Sequence, residues 1–316
     1  MRGLAWRALA VLITLCGIVV SATPASAELT EEQSAPWGIK TELASSTIAN
    51  WEALGWATEQ VGGTMFVGGK FGETTNGSST YSQPYVAAFD AGDGRFLSWW
   101  RPSVNAPVLA LEASPDGALF AGGEFTTWNG AWTGNLVKLN PATGVPVAGF
   151  ATKIFGPDAV IRDIKLESDG WLYVVGRFSY YNTGAGPAPA TNVLRLNPTT
   201  GVVDSSWLPT TDKAVWGVST SKTRAEVYLA GWFTTVNGSA SARGFAGVSS
   251  VTGALLHGRQ TIPYNQCVGC LANYRMYDVE ATEYGTVFVG GEQHALYILD
   301  EASSSTYRSC TTRGAI

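Results

Sequence analysis

Two aspartates, Asp163 and Asp278, occupy the same place in two copies of one short pattern, and any chemistry in this chain would start there. The copies are Val108-Leu109-Ala110-Leu111, Ile161-Arg162-Asp163-Ile164, Val215-Trp216-Gly217-Val218 and Met276-Tyr277-Asp278-Val279. Their third position is small or acidic, while the second varies most and carries Arg162, Trp216 and Tyr277. Two carboxylates held about 5 to 10 Å apart across a cleft can divide acid and base work in glycoside hydrolysis. Exposed indole and phenol rings can serve as platforms for sugar rings. The structural use of the same aspartates is to accept hydrogen bonds from the backbone of neighbouring sheets.

Other chemistry finds little support. No Gly-x-Ser-x-Gly elbow, phosphate-binding loop, calcium loop or histidine triad occurs. Cys267-Val268-Gly269-Cys270 lies in an insertion and Cys310 in the tail. In an oxidising compartment a disulfide from one of the pair to Cys310 is expected, pinning tail to insertion. His257 and His294 lack the paired spacing of a zinc site, so neither a metal nor a cofactor is expected.

The elements that must position these residues are repeats. Ala118 to Gly130, ALFAGGEFTTWNG, combines a β-prone apolar run, a glycine pair ending at Gly123, a phenylalanine and an Asn-Gly turn at Gly130. The phenylalanines of its copies, Phe71, Phe125, Phe178 and Phe233, follow one another at steps of 53 to 55 residues. A fifth, weaker copy at Val289-Gly290-Gly291-Glu292 has Gln293 in the aromatic place. A second motif keeps the same interval: Leu139-Asn140-Pro141-Ala142-Thr143-Gly144 returns as Leu196-Asn197-Pro198-Thr199-Thr200-Gly201. With the hairpin turns Pro115-Asp116-Gly117 and Ser168-Asp169-Gly170, each unit amounts to four short strands joined by three turns.

One such sheet cannot bury both of its faces, so successive sheets must cover each other around an axis. The pattern predicts an all-β chain, a β-propeller of five repeat units of about 54 residues. That gives five blades, or six if the terminal segments complete another. Units one to four are Asn50 to Pro102, Val104 to Thr152, Ala159 to Pro209 and Ala214 to Gln260. If the first strand of each is innermost, alternation turns the second or third column toward the axial channel. Asp163 and Asp278 are then pore candidates, with Arg162, Trp216 and Tyr277 at the rim.

The two motifs together resemble the delta-60 repeat, the DUF5122-type β-propeller repeat of secreted and surface bacterial proteins. The likeness is carried by Gly123 to Gly130 and Asn135 to Gly144 and extends over roughly Asn50 to Leu299. It implies the propeller fold and no shared activity. Asn197 to Trp207 bears a fainter likeness to the pyrroloquinoline-quinone propeller repeat, with asparagine in place of its aspartate.

Residues 1–27 read as a secretory signal peptide, with Arg2 and Arg7, an apolar run from Ala8 to Val20, and Ala25-Ser26-Ala27 for cleavage. Beyond it no run is long enough to span a membrane. Residues 28–49 are either a lead or a strand that closes the ring, and 50–316 form the repeat domain, with a degenerate last unit. The tail from Tyr307 does not read as a terminal element, which leaves a truncated chain or the first part of a longer multidomain one. The net charge is −5, with 20 basic and 25 acidic residues, and no basic stripe argues for nucleic acid. The expected function is a secreted, extracellular, non-catalytic binding or scaffold module that presents one propeller face to glycans, cell-wall polymer or a protein. The alternatives are a glycosidase-like propeller hydrolase and a quinoprotein-like dehydrogenase.

Overall fold

Each glycine pair identified in the sequence lies at the end of a strand that runs beside the first strand of its unit. A computed structural model describes residues 37–40, 54–257, 275–291, 295–301 and 307–311. All lie in one compact body, Ala35–Ile316. The signal peptide, Cys267 and Cys270 fall outside the described residues, and Cys310 lies on the strand Tyr307–Thr311.

Among the described residues, five of the eight antiparallel sheets are the repeat units, in chain order, and three smaller ones are side sheets. Unit one has Leu54–Val61, Thr64–Lys70 and Val86–Asp90; unit two has Val108–Ala113, Leu119–Gly123, Leu136–Asn140 and Val145–Pro146. Unit three has Val160–Leu166, Leu172–Arg177 and Val193–Leu196; unit four has Val215–Thr220, Glu226–Gly231, Phe245–Ser249 and Leu255–His257. Unit five has Met276–Ala281, Thr286–Gly291, Ala295–Asp300 and Tyr307–Thr311. The fourth strand expected in units one and three is reduced to single bridges, Phe89 with Phe96 and Leu196 with Val203. No helix of the described residues is long and apolar enough to cross a membrane.

The core is a series of interfaces between successive units. One face of unit one, with Phe66, Val86 and Ala88, packs on Val108, Leu111 and Val137 of unit two. Ala110, Phe120 and Leu136 of unit two pack on Ile161, Ile164 and Val174 of unit three. Tyr173, Val175 and Val193 meet Val215, Val218 and Leu229, and Tyr228, Ala230 and Phe245 meet Met276, Val279 and Val289. Each of units two to four therefore hides a leading face against the preceding unit and a trailing face against the next. The repeat phenylalanines all join the leading side: Phe125, Phe178 and Phe233 are buried in the first three of these interfaces.

Unit one has no preceding unit among the described residues. Its leading face, with Phe71, Phe89 and Phe96, is covered instead by Trp37 and Ile39. Gly38–Ile39 pairs with Glu73–Thr75 of a side hairpin in unit one. At the other end of the series no following unit covers the trailing face of unit five among the described residues, and Leu296 is 40% exposed. A Cβ added at Gly290 would meet no atom within 4 Å.

The two repeat motifs are joined by their asparagines. Asn129 and Asn237 hold φ near 50° in their turns. Their side-chain amides donate to the carbonyls of Gly144 and Gly253, at 3.2 and 2.9 Å. The Trp128 indole donates to the same Gly144 carbonyl at 2.9 Å. One turn thus braces the other across each of these sheets.

Candidate functional site: the bulged inner strands

Every first strand carries a β-bulge at the same place. The register slips between Gly55 and Ala57, Val108 and Ala110, Ile161 and Asp163, Val215 and Gly217, and Met276 and Asp278. The extra residues are Trp56, Leu109, Arg162, Trp216 and Tyr277, which makes the most variable column of the sequence the bulged one. Simple alternation does not hold through a bulge, because two residues oppose one and the chain is re-aimed there.

The glycine two places before each repeat phenylalanine is the partner this geometry requires. A Cβ at Gly123 would stand 2.2 Å from the Pro107 carbonyl oxygen, and one at Gly69 or Gly176 would be equally close to the Leu54 or Val160 carbonyl, at 2.2 and 2.0 Å. No side chain fits such a separation from backbone. The glycine-x-phenylalanine signature therefore records the bulge on the neighbouring strand.

Asp163 and Asp278, from units three and five, flank the first strand of unit four. Asp163 accepts hydrogen bonds from the Val218 and Ile164 amides, at 3.0 and 2.9 Å. Asp278 accepts from the Val279 amide at 2.8 Å. Its Cα and Oδ1 lie 2.9 and 3.0 Å from where a Cβ on Gly217 would be, so only glycine admits it. Burial raises the Asp163 carboxyl to about 6 against the pull of the Val218 amide, and Asp278 adds to the rise. Asp278 itself is raised, again first by burial. Asp163 also acts as lacing between sheets, a role repeated by Glu112 to the Leu166 amide, Glu167 to the Thr220 amide and Ser219 to the Ala281 amide, at 2.8, 3.0 and 3.0 Å.

Three residues beyond the bulged one lies another column on the first strands: Glu59, Glu112, Lys165, Ser219 and Glu280. Each is paired across its sheet with an aromatic residue, Phe66, Phe120, Tyr173, Tyr228 or Phe288. Lys165 reaches Glu280 at 3.1 Å. Glu112 is raised to about 7, by burial first, opposed by the Leu166 amide and reinforced by Glu59. Burial also raises Glu59, while Lys165 draws it down. Burial works against the Lys165 ammonium, but Glu280, Asp163 and Glu112 hold its pKa above the usual value. Among the described residues no group of three or more His, Cys, Asp or Glu has the geometry to hold a metal ion.

The bulged end of the sheets carries the aromatic groups. Trp216 and Tyr277 stack at 5.1 Å between centroids and 9° between planes, and the Arg162 guanidinium lies 5.9 Å from the Trp216 ring centre. Tyr277 is 47% exposed, and its unit-one counterpart Trp56 is 55% exposed. The three rim candidates thus form one column, with cation, indole and phenol in sequence. Burial lowers the Arg162 pKa; Glu124 opposes that shift and Arg177 adds to it.

Sequence reading missed several neighbours. Trp232 stands between Gly231 and Phe233, where the other units have Lys70, Glu124 and Arg177; the variable residue of that signature was the available signal. Arg275 and Lys213 lie over its ring, at 4.4 and 5.2 Å. The axial column of Glu112, Lys165 and Glu280 gave no local signal, since it appears only when first strands are aligned through their bulges.

Stacked antiparallel sheets with their first strands gathered on one axis define a β-propeller repeat domain. The chain carries repeats of the DUF5122 type: the family model of that β-propeller, a domain of unknown function, matches residues 114–146 and 167–206, in units two and three. No curated protein matches the chain.

Proposed function

We propose that this domain is an exported, non-catalytic binding module whose bulged propeller face takes saccharide, in a glycan or a cell-wall polymer. The observation that carries this reading is the Arg162–Trp216–Tyr277 column. Stacking each on the next fixes the orientation of the rings, and the exposed Tyr277 presents its ring as a platform at little entropic cost. The aspartates favour binding over hydrolysis, because Asp163 is occupied with two backbone amides and holds units three and four in register.

The test is retention of the purified domain on immobilised polysaccharides and peptidoglycan, wild type beside Tyr277→Ala. Retention of the wild type and release of the variant, at equal melting temperature, is the expected result. Equal behaviour of the two proteins, or no retention on any polymer, contradicts the reading. Cleavage of chromogenic glycosides that disappears in Asp163→Asn would replace it with the hydrolase.

A further inference from the structure

Cations are placed differently at the two ends of the sheets. At the end carrying the strand-one to strand-two turns they are paired: Lys138 with Asp116 at 2.6 Å, Arg195 with Asp204 at 2.7 Å, and Lys222 with Glu167. Of these, Arg195 also lies over Trp171 and Trp207, at 4.7 and 5.0 Å. At the bulged end three cations lie over indole rings without such a carboxylate partner. Lys153 is 5.6 Å from Trp132, Arg162 is 5.9 Å from Trp216 and Lys213 is 5.2 Å from Trp232. Among the described residues none of these three makes a salt bridge. Of the nearby acids, Asp158 pairs with Arg177 at 3.1 Å, Asp212 accepts from the Thr234 and Thr235 amides at 2.6 and 2.8 Å, and Glu124 acts on Arg162 without forming an ion pair with it. Trp132 is 51% and Trp232 36% exposed, so ring and charge are accessible together.

A chain with more acids than bases that leaves cations without carboxylate partners beside its exposed indoles has the chemistry of a receptor for sugar and negative charge at once. We propose that the saccharide held at this face is anionic, bearing carboxylate or phosphate groups that engage Arg162 and Lys213 while its rings stack on the exposed aromatic surface of the same face, Tyr277 and Trp132; this rests on the saccharide-binding reading above. Arginine grips either anion with two parallel N–H donors, and lysine supplies a point charge.

The test is affinity electrophoresis of the full chain through gels containing polygalacturonate, poly(glycerol phosphate) or neutral dextran. Retardation by one or both anionic polymers and not by dextran is expected, weakening as salt rises because exposed charges are screened. The difference between the two anionic gels identifies carboxylate or phosphate as the group recognised. Arg162→Gln and Lys213→Gln together should weaken retardation about a hundredfold, roughly tenfold for each lost charge-assisted contact. If that double variant melts early, Lys153→Gln, at an exposed side hairpin, should still lose affinity severalfold. Equal retardation by dextran and by the anionic polymers, insensitive to salt, overturns the anionic ligand and leaves the saccharide reading standing. Retardation by none of them overturns both.

Discussion

Lys165 of unit three and Glu280 of unit five form an ion pair at 3.1 Å that passes over unit four altogether. Only inner strands gathered on one axis allow residues two units apart to touch in this way. Lys165 also acts on Glu59 and Glu112, from units one and two, so a single ammonium is the shared counter-charge of the axial column. Substituting Lys165→Met should destabilise the domain at pH 8 by roughly 1–2 kcal/mol, since the carboxylates it faces lose their partner. The loss should shrink at pH 5, where Glu112 and Asp163, raised by burial, take up protons instead; urea denaturation at the two values checks it.

Glu112 and Asp163 give a pH dependence of definite sign. Their folded-state values, about 7 and about 6, lie above the ordinary 4.5 and 3.8. An acid raised on folding binds its proton more tightly in the folded state, so its contribution to stability is complete below the ordinary value and is lost as pH climbs through the raised one. The depressed carboxyls Asp116, Glu167, Asp204 and Asp212 act in the opposite sense, losing their contribution as pH falls into and below their range. Stability should therefore peak near about pH 5 and decline toward pH 8. Glu112→Gln should flatten that decline by on the order of 2 kcal/mol after allowance for solvent screening, measured as the change of melting temperature with pH.

Gly217 is a further point of strain-free contact that a methyl group would spoil. The Cβ of Gly217→Ala would meet Asp278 backbone at 2.9 Å. Repacking of two inner strands should cost about 1–3 kcal/mol. Gly77→Ala, in a turn with φ near 85° and open space around it, should cost less, about 1 kcal/mol from backbone strain alone. Equal losses at the two positions in chemical denaturation would contradict the close approach of units four and five.

The repeat architecture was legible in the sequence because it rests on local rules. The glycine pair, the buried phenylalanine and the Asn-Gly turn each answer to a backbone or packing requirement within one unit, as Gly123, Phe125 and Asn129 show. The aspartates were legible as a column for the same reason. Their placement on either side of unit four, Asp163 at the Val218 amide and Asp278 against Gly217, was not, because it depends on how three units stack. The bulge was also hidden: Gly55-Trp56-Ala57-Thr58 is the first copy of the inner-strand pattern, yet only the sheet register identifies Trp56 as the counterpart of Trp216 and Tyr277. Abundant tryptophan gave a mixed signal in one dimension that separates cleanly in three, with Trp100, Trp128 and Trp207 fully buried and Trp56, Trp99 and Trp132 exposed.

That separation supplies a direct reading of the binding face. In a domain with labelled indole nitrogens, the side-chain N–H resonances of Trp216 and Trp232 report on the bulged end, while those of Trp128 and Trp207 report on the interior, donating to Gly144 and Ser249 carbonyls at 2.9 and 2.8 Å. Titration with short oligosaccharides from whichever polymer retains the protein should shift the Trp216 and Trp232 signals in a saturable way and leave the buried pair in place. Binding that leaves Trp216 and Trp232 unmoved would show that the bulged face is not where this propeller meets its ligand.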